Sequence, residues 1–476
     1  MAENSNIKVV PLIAVLLSGA FVAILNETLL SVAITPIMNA FEVTANTAQW
    51  LTTAYMLVVA VSVPVSAFLV QRFTTRQLFI TSMGLFGIGT VIAGVSPIFS
   101  LLLLGRIIQA SGTGILLPLL TNVILAVIPP ERRGRVMGLL GLVIMFAPAT
   151  GPTLSGIIID YFSWRWLFFF VIPIALIAIL YGVFALKNVT KLTHPKIDVY
   201  SIVLSTLGFG GIIFGFSSAG GDSGGWMDPI VVWPLIIGFI ALVLFVRRQV
   251  KLETPMLDLT ALAYPMFSLA LILMMIVMMT MFATMILLPM FLLNVLAFSA
   301  VTVGLVMLPG GLINGAISPV MGYLFDKFGP RWLLIPGIAM LTLTVFLFRS
   351  LETGATPLTV TVLHTLLMVS VAMVMMPAQT NGLNELPPHL YPHGAAIANT
   401  LMQVAGGIGT ALFVTIMTMG QQRYLQEITD PNAAQLTEAL ATGVRHAFTV
   451  GLVMTAIALV MSFFIRRVHT KSTSQN

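Results

Sequence analysis

Leu69-Val70-Gln71-Arg72-Phe73-Thr74-Thr75-Arg76-Gln77-Leu78 returns 255 residues later as Leu324-Phe325-Asp326-Lys327-Phe328-Gly329-Pro330-Arg331-Trp332-Leu333, with Leu, a basic residue, Phe, Arg and Leu at one spacing. Each copy falls between the second and third apolar runs of a group of six. A looser echo pairs Pro129-Pro130 and Gly134 with Pro387-Pro388 and Gly394. Two six-helix halves in one chain are the architecture of secondary transporters that rock about a midplane site.

Outward from the repeat the chain is apolar almost throughout. Of its 476 residues 58% are hydrophobic and 8% charged, against roughly 25% charged in soluble domains. A bilayer core about 30 Å thick takes about 20 apolar residues per helix. Such runs predict helices at 9–35, 48–70, 78–96, 100–128, 136–160 and 166–187, two more at 199–219 and 230–246, and six at 266–291, 302–325, 332–349, 358–383, 394–419 and 446–466. The run from Val9 to Ile34 is too long for a signal peptide, lacks a small-residue cleavage site and carries Glu27, so it is read as a retained first helix. The expected fold is an all-α polytopic membrane protein of fourteen transmembrane helices. A six-helix half occupies 1–190, two linking helices 191–260, and a second half with its tail 261–476.

Seventeen of the 22 Lys and Arg fall in alternate loops, so an N-terminus inside puts both termini and those loops in the cytoplasm. The net charge of +6 is then a topology signal, and a nucleic-acid partner is not expected. With no cysteine, disulfides, thiol nucleophiles and thiolate metal sites are excluded. No Walker-type phosphate loop and no serine-histidine-aspartate or metal-binding constellation on one side of the bilayer can be placed. An enzyme is not expected, and neither is a cofactor or a metal.

Ionisable groups within hydrocarbon are costly and by default functional. Glu27 lies midway along the first helix, on one face with Ala20, Ala23 and Ser31. Arg106 lies in the fourth with Gln109 and Thr113, where Gly112 and Gly114 permit close helix approach. Glu27 is the expected partner of Arg106. Burial favours a neutral carboxyl and a nearby guanidinium favours a carboxylate, so movement of Arg106 or arrival of a cation would switch Glu27, the chemistry a proton antiporter needs. The competing reading is a purely structural pair. Asn26, Tyr55, Gln109, Asn314, His364, Gln379 and Gln403 are candidates for substrate contact, each weighed against plain helix-to-helix hydrogen bonding or packing; His364 is also a candidate proton relay. Asp160, Asp198, Asp222 and Asp228 read as interfacial or solvated.

Ala147-Pro148-Ala149-Thr150-Gly151-Pro152-Thr153-Leu154-Ser155-Gly156 in the fifth helix resembles an antiporter motif, with Gly151, Pro152 and Gly156 as its marks. Arg106 to Gly114 is similar to a fourth-helix motif associated with proton coupling, and Leu25-Asn26-Glu27-Thr28 to a first-helix signature that usually has aspartate where Asn26 stands. Gly322 to Arg331 resembles a cytoplasmic gate motif, with Asp326 and Arg331; its first-half copy keeps Arg72 and Arg76 but has Gln71 for the aspartate. On these motifs the chain resembles the fourteen-helix drug/proton antiporters of the major facilitator superfamily, close to lincomycin-resistance-type multidrug exporters. The resemblance implies a major facilitator fold and export of small amphipathic or cationic compounds, lincosamide-type antibiotics included. The expectation is that a proton gradient supplies the energy, that Glu27 and Arg106 couple it, and that the protein acts as a monomer in a bacterial plasma membrane. A dedicated exporter of a lipid or metabolite and a non-transporting membrane sensor are the alternatives.

Overall fold

A computed structural model describes residues 9–468 apart from 44, 187, 190–191, 193–197, 220–225, 254, 256, 299, 352–353, 427 and 429–431. The described chain forms fourteen long helical elements. The first half comprises α1 (Val9–Phe41), α2 (Ala45–Arg72), α3 (Thr75–Val95), α4 (Phe99–Val127), α5 (Pro130–Tyr161) and α6, which runs as Trp166–Phe169 and Val171–Ala185. The linking pair is α7 (Val199–Ala219) and α8 (Pro229–Lys251). The second half comprises α9 (Pro265–Asn294), α10 (Ala300–Phe328), α11 (Arg331–Arg349), α12 (Pro357–Glu385), α13 (Tyr391–Leu425) and α14 (Ala433–Ser462).

Twelve of these elements hold stretches long and apolar enough to cross a bilayer by length and composition. The others are α2, whose apolar stretch is shorter, and α5, which opens on Glu131, Arg132, Arg133 and Arg135.

Several ends lie beyond the apolar runs because local chemistry extends the helix. Proline at the first helical position starts α5, α8, α9 and α12, where its missing N–H costs nothing. That moves the start of α5 from the expected 136 to Pro130. Capping boxes fix α3 (Thr74 with Gln77) and α14 (Asn432 with Gln435). α1 runs through Pro36 to Phe41, past the expected end at 35.

The halves meet along two seams, α5 against α10 and α2 against α13. Gly134 and Gly322 lie backbone to backbone in the first seam, where a Cβ on Gly322 would strike the carbonyl of Gly134. Small residues let helices pack closely where hydrophobic contrast with lipid is missing.

The linking pair is stitched by Gly208, Gly211 and Gly238, whose backbones touch the facing helix, and by an ion pair from Arg248 Nε to Asp198 Oδ2 at 2.8 Å. α7 packs on α2 and on α13 at once. Trp50 of α2 lies 5.3 Å from Phe214 of α7 between ring centroids. Trp226 Nε1, just before α8, donates to Thr415 Oγ1 of α13 at 2.8 Å. The pair therefore spans the boundary between the halves.

Candidate functional site

Arg106 is fully buried in the first half, and a buried cation needs its donors matched. Its Nη1 donates to Asn26 Oδ1 of α1 at 2.9 Å and to Gln109 Oε1 at 2.6 Å, and its Nε to the Leu51 carbonyl of α2 at 3.5 Å. The guanidinium carbon lies 3.9 Å from the centroid of the Tyr55 ring, a cation–π contact.

The partners are themselves fixed. Gln109 Nε2 donates to Thr90 Oγ1 at 2.7 Å, and Thr90 donates to the Phe86 carbonyl at 2.6 Å. Thr113 gives its proton to the Gln109 carbonyl at 3.2 Å, so across the 2.8 Å Tyr55–Thr113 contact Tyr55 is the donor. One amino group, Nη2 of Arg106, is buried with no partner among the described residues.

Glu27, the partner expected for Arg106, is not the residue that hydrogen-bonds it. The residue bonded to Arg106 is Asn26, because one step along a helix turns a side chain by about 100° and only one of two neighbours can face α4. Glu27 is partly exposed and makes no hydrogen bond or ion pair among the described residues. It stays within electrostatic reach of Arg106. At the next residue Thr28 packs on Gly151 of α5, where a Cβ would collide with the threonine side chain; the glycine is what lets α5 approach α1 beside Glu27. The Pro152 side chain and the surroundings of Gly156 lie outside the described residues.

The seven candidates for substrate contact separate by exposure. Asn26, Tyr55, Gln109, Asn314, His364 and Gln379 are buried, and only Gln403 is partly open. Tyr55 stacks under Arg106 instead of facing a ligand space, and Gln109 holds the guanidinium. Asn314 donates to the Met368 carbonyl, and His364 rests on Gly310 across the same α10–α12 seam.

At the end that bears most of the basic loops, Asp326 Oδ1 and Oδ2 accept from the backbone N–H groups of Gly134 and Arg135 on α5, both at 3.0 Å. The pseudo-equivalent Gln71 meets Nε2 of His393 on α13 at 3.2 Å. Arg72 lies over the Phe68 ring, Arg76 is exposed, and Arg331 donates to the Ile465 and Phe463 carbonyls beyond α14. Sequence reasoning treated Arg133 as a topology charge only. It is buried, and its Nη1 reaches across the halves to Asn384 Oδ1 at 2.9 Å and Tyr391 Oη at 3.0 Å. Its Nη2 and Nε donate to the Leu125 and Ile128 carbonyls. The signal available was its place between Pro129-Pro130 and Gly134, one copy of the looser repeat.

A family profile described as Major Facilitator Superfamily matches residues 16–410. Lincomycin resistance protein LmrB of Bacillus subtilis (strain 168) is 49% identical over 462 residues, 97% of this chain and 96% of the relative. The protein of that name from Listeria monocytogenes is 49% identical over 464 residues, 98% of each chain. Among solved structures, the human organic anion transporter MFSD10 (TETRAN) superposes with a TM-score of 0.64 at 12% identity, covering 95% of this chain and 99% of that one, which bears on the fold alone. A multi-pass helical chain with repeated halves, matched along nearly its whole length, is a membrane transporter and not an enzyme, and it belongs to the Major Facilitator Superfamily.

Proposed function

We propose that the protein exports small amphipathic or cationic compounds, lincosamide-type antibiotics among them, in exchange for protons, by alternating access in a bacterial plasma membrane with both termini in the cytoplasm. The observation that carries the reading is the arrangement at Glu27. Among the described residues it is the one acid placed midway along a helix; it is partly open and unbonded among them, and it lies within reach of an arginine whose bonds go to neutral amides. A carboxyl so placed is free to take either a proton or a cation, and the two then compete for one site. Support comes also from the lincomycin-resistance proteins and, at 29% identity over 404 residues, covering 84% of this chain and 74% of the relative, from a multidrug resistance protein B homolog of Mycobacterium tuberculosis (strain CDC 1551 / Oshkosh).

The test is uptake of a fluorescent cationic dye into inside-out proteoliposomes under an imposed proton gradient, for the unaltered protein and Glu27→Gln. Gradient-driven uptake that vanishes in the variant, with dye binding kept, is the expected result. Equal uptake in both removes Glu27 from coupling. No uptake in either points to a narrow substrate or a sensor.

A further inference from the structure

The linking pair touches both halves, so when the halves rock it has to travel with one of them. Helix packing does not choose, because α7 lies on α2 of the first half and on α13 of the second. Gly210 and Phe214 of α7 face α2 through apolar surfaces. A Cβ on Gly210 would stand 3.5 Å from a Val61 methyl and 3.8 Å from a Leu57 methyl, and the Phe214 ring meets that of Trp50 at 5.3 Å between centroids. Apolar contact is non-directional, so such surfaces stay in contact when one helix slides along the other.

Toward α13 the pair is pinned by directional bonds near both ends of that helix. Before α8, Trp226 Nε1 donates to Thr415 Oγ1 at 2.8 Å. After α8, the Asp258 N–H donates to Nδ1 of His393 at 3.1 Å. Residues 393 and 415 are 22 positions apart on α13, roughly 33 Å at the rise of an α-helix, so the two pins stand near opposite faces of the bilayer. The 3-10 turn Leu259–Ala263 that follows Asp258 packs on α8, α9 and α13, which lays this connection on the second half. A hydrogen bond weakens steeply when its atoms are displaced or misaligned: movement of the pair along α13 breaks both pins, and movement along α2 breaks neither. We infer, on the alternating-access reading proposed above, that the linking pair moves as one body with the second half, and that α2 slides across α7 while α7 keeps the seam between α2 and α13 covered.

The chain has no cysteine, so α7 can be linked to either neighbour at one depth. Val61→Cys with Gly210→Cys joins it to α2, and Ile213→Cys with Gly407→Cys joins it to α13. A Cβ has room at both glycines, its nearest neighbours being Val61 at 3.5 Å and Ile213 at 3.9 Å. Each double variant is cross-linked with a short thiol reagent that dithiothreitol cleaves, and gradient-driven dye uptake is measured before linking, after it and after cleavage. Linking α7 to α2 ties the two rocking bodies together and is expected to lower uptake about tenfold or more, reversibly. Linking α7 to α13 is expected to leave uptake unchanged. The reverse pattern would assign the pair to the first half, loss in both would make it shear against both halves, and loss in neither would mean that α2 does not slide on α7; each overturns the assignment. Where the unaltered protein moves no dye, the exchange reading fails on its own. There, and where a double variant does not fold, spin labels decide: Met227→Cys, between α7 and α8 and 89% exposed, is paired with Ser163→Cys before α6 and separately with Leu436→Cys on α14. One distance to the Leu436 position and two to the Ser163 position uphold the assignment, and any other pattern overturns it.

Discussion

Nη1 of Arg106 sits 2.9 Å from Oδ1 of Asn26, so a guanidinium sealed inside the first half is gripped by a neutral amide, and the nearest acid, Glu27, compensates its charge only through space. The bond positions Arg106 without spending the acid. Glu27 keeps its oxygens for a proton or a cation while the arginine's field reaches it at a fixed orientation.

Asn26→Ala and Gln109→Ala should therefore act through Arg106. Each strips a partner from a fully buried donor, which costs about 1–3 kcal/mol, read as a fall in the midpoint of thermal unfolding of the purified protein. Gradient-driven dye uptake should fall at least tenfold in both while dye binding is kept, since neither side chain is open to a ligand. Uptake at the unaltered rate in Gln109→Ala would show that Arg106 needs no such clamp.

Gly151→Ala tests the approach of α5 to α1. The new methyl has no room against Thr28, so the helices must part beside Glu27, and overpacking of this kind costs about 1–3 kcal/mol. Transport should drop severalfold, and a compensating Thr28→Gly, which clears the collision, should recover part of it. Failure of the double variant to recover any activity would place the role of Gly151 elsewhere.

Much of this was legible before any coordinates. The decapeptide repeat announced two halves, and it does so in three dimensions as well: Asp326 accepts from backbone N–H groups of α5, the fifth helix of the first half, while its counterpart Gln71 meets α13, the fifth helix of the second. Glu27 and Arg106 stood out as charges in apolar runs. The identity of the residue bonded to Arg106 was not legible, because a single 100° step separates Asn26 from Glu27 and periodicity alone does not say which faces α4. Arg133 was hidden for a different reason: a basic residue beside a loop reads as topology, and only tertiary packing shows it buried against Asn384. The bonds of Asn381 to the Arg466 carbonyl and the Val468 N–H link residues 85 and 87 apart in sequence through backbone groups, which carry no side-chain signature.

Arg133→Gln should loosen the join between halves. It removes bonds to Asn384 and Tyr391 that join the two halves at this end, and hydrogen bonds to charged groups are worth about 1.5–3 kcal/mol. The chain has no cysteine, so Ser318→Cys, a thiol on α10 at a site 2% exposed and packed on Gly138 of α5, can report this seam, and its maleimide labelling should speed up by tenfold or more. Gly134→Leu should do the same by steric exclusion, because its Cβ alone would meet Asp326 and the Gly322 carbonyl. Slow labelling in both would mean that the α5–α10 seam does not part during the cycle.

Asp198 separates stability from coupling. It lies just before α7, outside the membrane-spanning segments, and hydrogen bonds from Arg248 above all, then from Ser201, hold its carboxyl at about 2, below the ordinary 3.8. A carboxyl depressed in the folded state stabilises it fully above the unfolded value, and that contribution is lost as pH falls from about 4 through 2. Across pH 5 to 8 its effect is constant. Asp198→Asn should cost about 1 kcal/mol or less, as partly exposed ion pairs do, seen as a small drop in unfolding temperature at pH 7 that disappears on acidification toward pH 2. The pH dependence of transport between 5 and 8 should match that of the unaltered protein. A transport profile displaced within that window by Asp198→Asn would instead make Asp198 part of the proton path.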